Sequence, residues 1–486
     1  MSKLPTVAII GRPNTGKSTL FNRLIGERKA IESSIAGTTR DHISKKITFA
    51  GIPTLLIDTG GIGASRDKDF EKDVAEQSLM ALEFADLILF TVNGQEEVTL
   101  DDRRIIELLR KKSRRHVPII VVITKVDDPS EQESTLSNFH DINIAGGLIA
   151  VSAPHRIGIE ALSNAVAKEL RKMHFVEEVP ARDASRDQSE GLEDADEETD
   201  DEKDAHLSEL KAQSSPARIA IIGKPNVGKS SIVNALMSSD QRDKSPLLVS
   251  PIAGTTRDAV DTEITYHGKP YILVDTAGLK KHSKSLDEIE RYAMMRTITS
   301  VESADIVILV LDASEPIAQQ DKRIASLAVD SGKGLIILLN KIDTMKGEKR
   351  KQVILYTEDM LHFCSKFAKI IPCSALTRDG LLKLFDQVEA VQLSRTRHIS
   401  TRELHRWFEQ NVHGRPLGEV ARAKHLTQTK DIPPTFVLFV KRTKSVNVTQ
   451  LRYLENSLRK TFGFDGTPIR WVLKGEEEEE KKRKIK

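Results

Sequence analysis

Short runs of apolar residues alternate along the chain with stretches in which apolar positions recur every three or four residues. Even the longest runs, such as 119–123 and 335–339, are far shorter than the ~20 residues that span a bilayer. They are typical of buried parallel strands, and the amphipathic stretches are typical of helices that cover both faces of a sheet. In the first third of the chain the pattern predicts strands at 7–10, 54–57, 87–92, 119–123 and 148–151.

The same series of short motifs occurs twice. GRPNTGKS at 11–18, IAGTTRD at 35–41, DTGG at 58–61, TKVD at 124–127 and SA at 152–153 return as GKPNVGKS at 223–230, IAGTTRD at 252–258, DTAG at 275–278, NKID at 340–343 and SA at 374–375. Because the order is kept and the offset stays nearly constant, the chain is predicted to carry a duplicated domain of about 170 residues.

The first motif of each copy matches the phosphate-binding loop GxxxxGK[ST] and has the required context, an apolar strand before it and a helix after it. Backbone amides of such a loop surround phosphate oxygens at the positive end of the helix dipole. Lys17 and Lys229 are then expected to reach the β- and γ-phosphates, and Ser18 and Ser230 to bind Mg²⁺. We expect nucleotide contacts from all loop residues: Gly11, Arg12, Pro13, Asn14, Thr15, Gly16, Lys17, Ser18, Gly223, Lys224, Pro225, Asn226, Val227, Gly228, Lys229 and Ser230.

The second and third motifs are predicted to sense the γ-phosphate. Asp58 and Asp275 end apolar strands, where a carboxylate can organise Mg²⁺, and the Gly61 and Gly278 amides can approach the γ-phosphate. The other predicted contacts in these turns are Thr59, Gly60, Ile62, Thr276, Ala277 and Leu279. Thr39 and Thr256 are candidates for a magnesium-sensing threonine, although the adjacent Thr38 and Thr255 are not excluded. The candidate catalytic set is Lys17, Thr39, Gly61, Lys229, Thr256 and Gly278.

The fourth motif indicates guanine. A carboxylate at Asp127 or Asp343 can accept both the N1–H and the exocyclic amino group, a pair that adenine does not offer. Lys125 and Lys341 are expected to pack their stems on the base. The Ala153 and Ala375 amides can donate to O6, and the neighbouring predicted contacts are Val126, Ser152, Ile342 and Ser374. The first copy has Thr124 in place of the amide of Asn340, so we expect weaker or more mobile nucleotide there with selectivity retained.

Hydrolysis requires a positioned water and charge neutralisation rather than a strong base. Ile62 and Leu279 occupy the positions where Ras-like enzymes carry a water-orienting glutamine, and an apolar side chain cannot orient water. No arginine can be assigned as an internal finger, although Arg40 and Arg257 lie in the second motif. Another group must therefore compensate.

The net charge of +2 conceals two opposite regions. Residues 177–204 carry fourteen acidic and three basic side chains, and residues 391–470 carry fifteen basic and six acidic ones. Residues 177–212 have almost no aromatic or β-branched content and a large negative charge, which predicts a flexible linker, with Ca²⁺ binding by its carboxylates as the alternative. The predicted domains are 1–176, a linker at 177–212, 213–394, 395–474 and a charged tail at 475–486. Two cysteines allow no disulfide framework, and with no signal peptide predicted the expected location is the cytoplasm.

The duplicated loops, both IAGTTRD segments, DTGGI and DTAGL, and TKVD and NKID resemble the Der (EngA) family of bacterial GTPases, as does the C-terminal RYLEN and FGFDGTPIR. The resemblance implies two GTPase domains and a KH-like domain with a helix from Thr401, a strand at 435–440, a helix at 449–460 and a strand at 468–473. It also implies a monomeric assembly factor for the large ribosomal subunit and its RNA, acting away from membranes. It further implies catalysis with Mg²⁺ and with K⁺ held by Asn14 and Asn226.

Three functions stay open on the sequence alone: ribosome assembly, another regulatory or RNA-modification GTPase, and a scaffold with one inactive site, for which Thr124 is the reason. We assign no KH-type RNA-clamping loop to the C-terminal region, although GFDG at 463–466 has the GXXG spacing, so ordinary KH clamping of RNA is not expected. Its basic residues, such as Arg415, Lys441, Arg442 and Lys444, either contact RNA phosphates or form a solvated face. The tail is expected to be disordered, with RNA contact as the alternative.

Overall fold

The computed structural model describes residues 4–26, 44–61, 78–79, 81–112, 117–142, 147–175, 216–237, 247–251, 261–274, 286–381 and 383–475. The predicted linker and the charged tail from residue 476 onward lie outside these ranges. The described chain forms two compact units, the first built on one sheet and the second on two. No helix within the described ranges has the length and apolar character needed to cross a membrane.

The first unit contains a six-stranded sheet in the order β2-β3-β1-β4-β5-β6. Its strands are β1 Thr6–Gly11, β2 Ser44–Phe49, β3 Ile52–Asp58, β4 Leu87–Asn93, β5 Ile119–Thr124 and β6 Leu148–Ala150. All neighbours are parallel except β2, which pairs antiparallel with β3 at the edge. The five predicted strands are confirmed. β2 was not predicted, because its half-buried SKKITF segment has no continuous apolar run.

Helices cover both faces of this sheet. They are α1 Lys17–Gly26, α2 Leu100–Lys112, α3 Gln132–Asn138 and α4 Ile159–Lys172. Side chains of β1 alternate between two apolar layers, with Val7 and Ile9 on the α1 and α4 side and Ala8 and Ile10 on the other. Because every β1 residue is buried, the loop that follows at Gly11 starts from a rigid strand.

The second unit repeats the plan in a seven-stranded sheet of order β13-β12-β11-β7-β10-β9-β8. The strands are β7 Ala217–Ile222, β8 Leu247–Pro251, β9 Thr262–Tyr266, β10 Lys269–Val274, β11 Ile306–Asp312, β12 Gly334–Asn340 and β13 Lys369–Pro372. The helices along this part of the chain are α5 Lys229–Met237, α6 Leu286–Ser303, α7 Gln319–Asp330, α8 Glu348–Met360 and α9 Lys383–Thr396. Only β9 runs against its neighbours, so the sheet is mostly parallel, as predicted.

The C-terminal domain is a three-stranded sheet with two helices packed on it. Its elements are α10 Thr401–Asn411, β14 His425–Gln428, β15 Thr435–Val440, α11 Val448–Phe462 and β16 Arg470–Gly475. Ser400 caps α10 by accepting from the Glu403 amide, and Asn447 forms a capping box with Gln450 at the start of α11. The four predicted elements are confirmed, whereas β14 was not predicted. Trp407, Trp471 and Phe436 lie in the common core.

Two backbone hydrogen bonds join the C-terminal domain to the second GTPase domain, one at β12 and one just before β13. The Gly466 amide donates to the Phe367 carbonyl (2.8 Å), and the Leu335 amide at the start of β12 donates to the Gly466 carbonyl (2.7 Å). Gly466 has φ +73°, and a Cβ there would lie 2.1 Å from a Val391 methyl carbon on α9. Only glycine fits this close approach.

Candidate nucleotide-binding sites

The recurring motifs lie where parallel strands end. In the first sheet Gly11, Asp58 and Thr124 are the last residues of β1, β3 and β5, and in the second Asn340 ends β12. In open α/β sheets ligands bind in the crevice beyond the carboxyl ends of the strands. The fold therefore brings each set of distant motifs to one edge of its sheet.

The first phosphate-binding loop closes around its lysine. Lys17 Nζ donates to the carbonyls of Gly11 (2.9 Å) and Arg12 (2.7 Å), and the residue is only 9% exposed. Asn14 is exposed and has φ +61°, so the loop turns there through the left-handed region. The lysine is thus held within the ring of backbone that is expected to receive phosphate.

A buried carboxylate anchors the second residue of each loop, which the sequence reasoning missed. Arg12 Nε donates to Asp102 Oδ1 (2.8 Å), and this bond raises the pKa of Arg12. In the second copy Lys224 Nζ lies 2.9 Å from Asp321 Oδ2. Each carboxylate also accepts a hydrogen bond from the backbone amide three residues earlier in the chain. These amides, of Thr99 and Ala318, lie at the start of α2 and α7. The sequence signal was a capping box beginning at Thr99.

The first site carries a donor set that suits Mg²⁺. Ser18 Oγ donates to Asp58 Oδ2 (2.9 Å), and the Gly60 amide donates to Asp58 Oδ1 (2.9 Å). Hydroxyl and carboxylate oxygens are the ligands that Mg²⁺ prefers in proteins. Ser18 and Asp58, forty residues apart in the sequence, therefore lie in contact and together offer oxygen ligands that suit Mg²⁺.

The second loop holds its lysine in the same way. Lys229 Nζ donates to the carbonyls of Gly223 (2.9 Å) and Lys224 (2.5 Å). Burial lowers the pKa of Lys229 to about 8. Asn226 is exposed with φ +65°, matching Asn14.

At the base end of the first site, the selectivity carboxylate is held by the fifth motif. Ser152 Oγ donates to Asp127 Oδ1 (2.6 Å), which leaves the other carboxylate oxygen for a ligand. Lys125 has φ +61°. Thr124 Oγ1 donates toward the carbonyls of Thr15 (2.8 Å) and Val92 (3.0 Å). The threonine therefore keeps a tie to the phosphate-binding loop.

At the base end of the second site, one amide ties two loops together. Asn340 Nδ2 donates to the Val227 carbonyl (2.8 Å), and Asn340 Oδ1 accepts from the Ala375 amide (3.0 Å). Lys341 adopts φ +62°, and its Nζ lies 2.5 Å from Asp312 Oδ2. Burial acts to raise the pKa of Asp312, but hydrogen bonds from Lys341 and Ser314 outweigh it and lower that pKa.

Several predicted site residues lie outside the described ranges. They are Thr39, Ile62, Thr256, Asp275, Thr276, Ala277, Gly278 and Leu279. Gly61 ends a short 3-10 turn at Thr59–Gly61. The phosphate-binding loops and the TKVD and NKID motifs are described in both copies, and a hydrogen bond joins the two motifs within each copy.

A phosphate-binding loop and a base-recognition carboxylate on the same edge of a mostly parallel sheet define a P-loop GTPase domain, and this chain has two. A family model described as "50S ribosome-binding GTPase" matches residues 6–125 and 218–341, and one described as "KH-domain-like of EngA bacterial GTPase enzymes, C-terminal" matches residues 398–474. The third domain is therefore KH-like.

Similar proteins are named GTPase Der. The one from Lachnospira eligens is 37% identical over 99% of this chain and 100% of the relative, and the one from Listeria innocua is 36% identical over 97% and 99%. The one from Geotalea uraniireducens is 34% identical over 97% and 98%. The chain belongs to the Der family of GTPases and hydrolyses GTP.

A solved structure of Era in complex with MgGDPNP and nucleotides 1506–1542 of 16S ribosomal RNA was also matched. It is 20% identical, with a TM-score of 0.28, and the match covers 53% of this chain and 91% of that one.

Proposed function

We propose that this GTPase is a nucleotide-switched assembly factor for the large ribosomal subunit. The observation that carries the proposal is the double match to a family described as ribosome-binding, joined to a KH-like domain in the same chain. Arg415, Lys441 and Arg442 are exposed in that domain and supply positive charge for RNA phosphates. We propose that the domains at 1–176 and 213–394 bind and hydrolyse GTP and that the domain at 395–474 contacts RNA.

The proposed roles rest on the geometry of the described residues and, for Thr39, Thr256, Asp275 and Gly278, on the sequence motifs alone. Lys17 and Lys229 bind the β- and γ-phosphates, and Asp127 and Asp343 select guanine through its N1–H and amino group. Ser18 and Asp58 would hold Mg²⁺, which when bound neutralises phosphate charge. In the second site Ser230 would act with Asp275, while Thr39, Thr256 and the Gly61 and Gly278 amides would respond to the γ-phosphate.

K⁺ is the proposed substitute for the missing glutamine. Asn14 and Asn226 are exposed on left-handed turns of the loops, where an amide oxygen can face a cation beside the phosphates. Hydrolysis is expected to be faster in KCl than in NaCl at equal ionic strength. Asn14→Ala with Asn226→Ala should remove that difference, and equal rates for the unmodified chain in both salts would refute the potassium role.

A scaffold with one inactive site is disfavoured by the first site itself. Lys17 donates to the Gly11 carbonyl and Ser18 donates to Asp58, and both contacts support a working phosphate and magnesium site despite Thr124. A GTPase acting away from ribosomes is the remaining alternative. It predicts hydrolysis that is indifferent to ribosomal subunits.

The deciding experiment is co-sedimentation of the full chain with purified ribosomal subunits in K⁺ buffer under GDP, GTP and a non-hydrolysable GTP analogue. We expect binding to the large subunit with the triphosphate analogue and release with GDP. A chain with Lys17→Ala and Lys229→Ala is the matched control and should bind equally in all three conditions. Absence of large-subunit binding in every nucleotide state would sink the assembly role while leaving the GTPase intact.

A further inference from the structure

The base-contacting loop of the second site is fixed by an asparagine. Asn340 is 2% exposed, and its amide spans from the Val227 carbonyl to the Ala375 amide. An amide can do this because it has a donor and an acceptor at opposite corners. The phosphate loop and the loop at 374–375 are therefore held in register by one side chain.

The first site lacks this bridge. The Thr124 hydroxyl has one hydrogen, and its two contacts go to the carbonyls of Thr15 and Val92. Both contacts lie on the phosphate-loop and β4 side, so within the described residues the hydroxyl does not take over the contact that Asn340 makes with Ala375. In the loop at 152–154, Ser152 is bonded to Asp127 and Ile157, so what the first site lacks is a side-chain tie from the phosphate-loop side to Ala153 and Pro154.

An arginine from α1 reaches that loop. Arg23 Nε donates to the Ala153 carbonyl, and Arg23 Nη2 donates to the Pro154 carbonyl (2.8 Å). Two donors of a planar guanidinium on successive carbonyls fix a loop more firmly than a single contact. The corresponding residue of the second copy, six after the loop lysine, is Ala235, which carries no donor.

We propose that Arg23 is a positioning residue of the first GTP site: it fixes the loop at 152–154 through two carbonyls, whereas Asn340 fixes the loop at 374–375 through the Ala375 amide. The inference rests on the proposed role of the Ala153 amide as donor to guanine O6. Each copy thus has, among the described residues, one side chain that hydrogen-bonds to the loop and one that does not. In the first copy these are Arg23 and Thr124, and in the second they are Asn340 and Ala235.

The test is a double-mutant cycle on the full chain with Lys229→Ala, so that GDP binding reports the first site. Displacement of a fluorescent GDP analogue gives the affinity. Arg23→Ala is expected to weaken GDP about tenfold, the typical effect of losing charge-assisted hydrogen bonds. Thr124→Asn restores the amide bridge, so adding Arg23→Ala to it should cost less than about twofold. Arg23→Lys, which keeps the charge but not the paired donors, should fall between.

The reciprocal substitutions in the second site are the control for a general loss of structure, because they should restore GDP binding rather than only reduce it. In the full chain with Lys17→Ala, Asn340→Thr is expected to weaken GDP, and adding Ala235→Arg should recover most of the loss. Inosine diphosphate shares O6 but lacks the amino group. Its affinity for the first site should therefore fall with Arg23→Ala by the same factor as that of GDP.

The outcomes separate the two levels of the argument. If the chain with Lys229→Ala binds no GDP, the proposed first site fails and the inference fails with it. If it binds GDP but Arg23→Ala costs nothing, or costs the same with Thr124 and with Asn at that position, only the positioning role is overturned. Non-additivity in the first site together with recovery in the second would establish it.

Discussion

The charge of Lys229 changes within a pH range in which the protein can be studied. Burial in the phosphate-binding loop lowers the pKa of Lys229 to about 8, whereas an exposed lysine titrates near pH 10.4. A bound diphosphate places negative charge beside the ammonium group and raises that pKa again. Nucleotide binding above pH 8 therefore has to be accompanied by uptake of a proton.

The size of the effect follows from this pKa. A group whose pKa rises on binding contributes fully below its free value, and the contribution is lost as the pH rises through that value. About nine tenths of free Lys229 is charged at pH 7 and about one tenth at pH 9. The GDP affinity of the second site is thus expected to fall about tenfold between these pH values, mostly above pH 8.

The assay is a titration with fluorescent GDP at several pH values between 7 and 9. The full chain carries Lys17→Ala so that only the second site is read. Lys229→Arg on the same background is the control, because a guanidinium stays charged throughout this range. Its affinity is expected to change little with pH, which separates the lysine from every other titrating group.

A second site whose GDP affinity is the same at pH 7 and pH 9 would refute the reasoning. So would a Lys229→Arg chain with the same pH profile as the lysine chain. In either case burial of the Lys229 ammonium would not govern its charge before nucleotide binds.

Three further predictions concern reactivity, stability and base choice. Burial raises the pKa of Cys364 and of Cys373 to about 12, so a disulfide reagent at pH 8 is expected to label neither thiol until denaturant exposes both. Gly466→Ala should lower the free energy of unfolding by about 1–3 kcal/mol in a denaturant titration, because its new Cβ overlaps a valine methyl. Asp343→Asn should shift the second site from GDP toward xanthosine diphosphate, since an amide can donate to the 2-oxo group of xanthine, in competition titrations.

Each of these has a sharp contradiction. Rapid labelling of the native chain would mean that the thiols are accessible. Gly414 has φ +74° and open space around its Cβ position, so Gly414→Ala measures the backbone strain alone. An equal loss of stability in both glycine variants would remove the clash from the explanation. Unchanged preference for GDP after Asp343→Asn would show that another group selects the base.

The core of the fold was predictable from the sequence because its strands are buried on both faces. Continuous apolar runs such as β11 and β12 can hardly be anything else in a chain with intervening amphipathic helices. Among the strands that escaped prediction, β2 and β14 lie at sheet edges and are largely half-buried. An edge strand is specified by its neighbour in space more than by its own pattern.

The site residues also fall into those that the sequence predicts and those that only the fold reveals. The loops were predictable because glycine, lysine and serine stand at fixed spacing within a few residues. The capping box at Thr99 marks where α2 begins, but the Arg12–Asp102 pair spans ninety residues, and no local pattern encodes that this end of α2 meets the phosphate-binding loop. Arg23 looks like any helix arginine in the sequence, and only the fold brings it to the carbonyl of Ala153.

The two hydrogen bonds of Gly466 affect what happens when the second GTPase domain is produced without the C-terminal domain. If the chain ended at residue 397, the Leu335 amide and the Phe367 carbonyl would lose their partners, and the Arg459 guanidinium, 4.7 Å from the Phe367 ring centre, would be gone. The apolar flank of Val391 would then face water. An isolated second GTPase domain is therefore a different folding unit from the one in the intact protein, and rates measured on it describe a partly uncovered sheet.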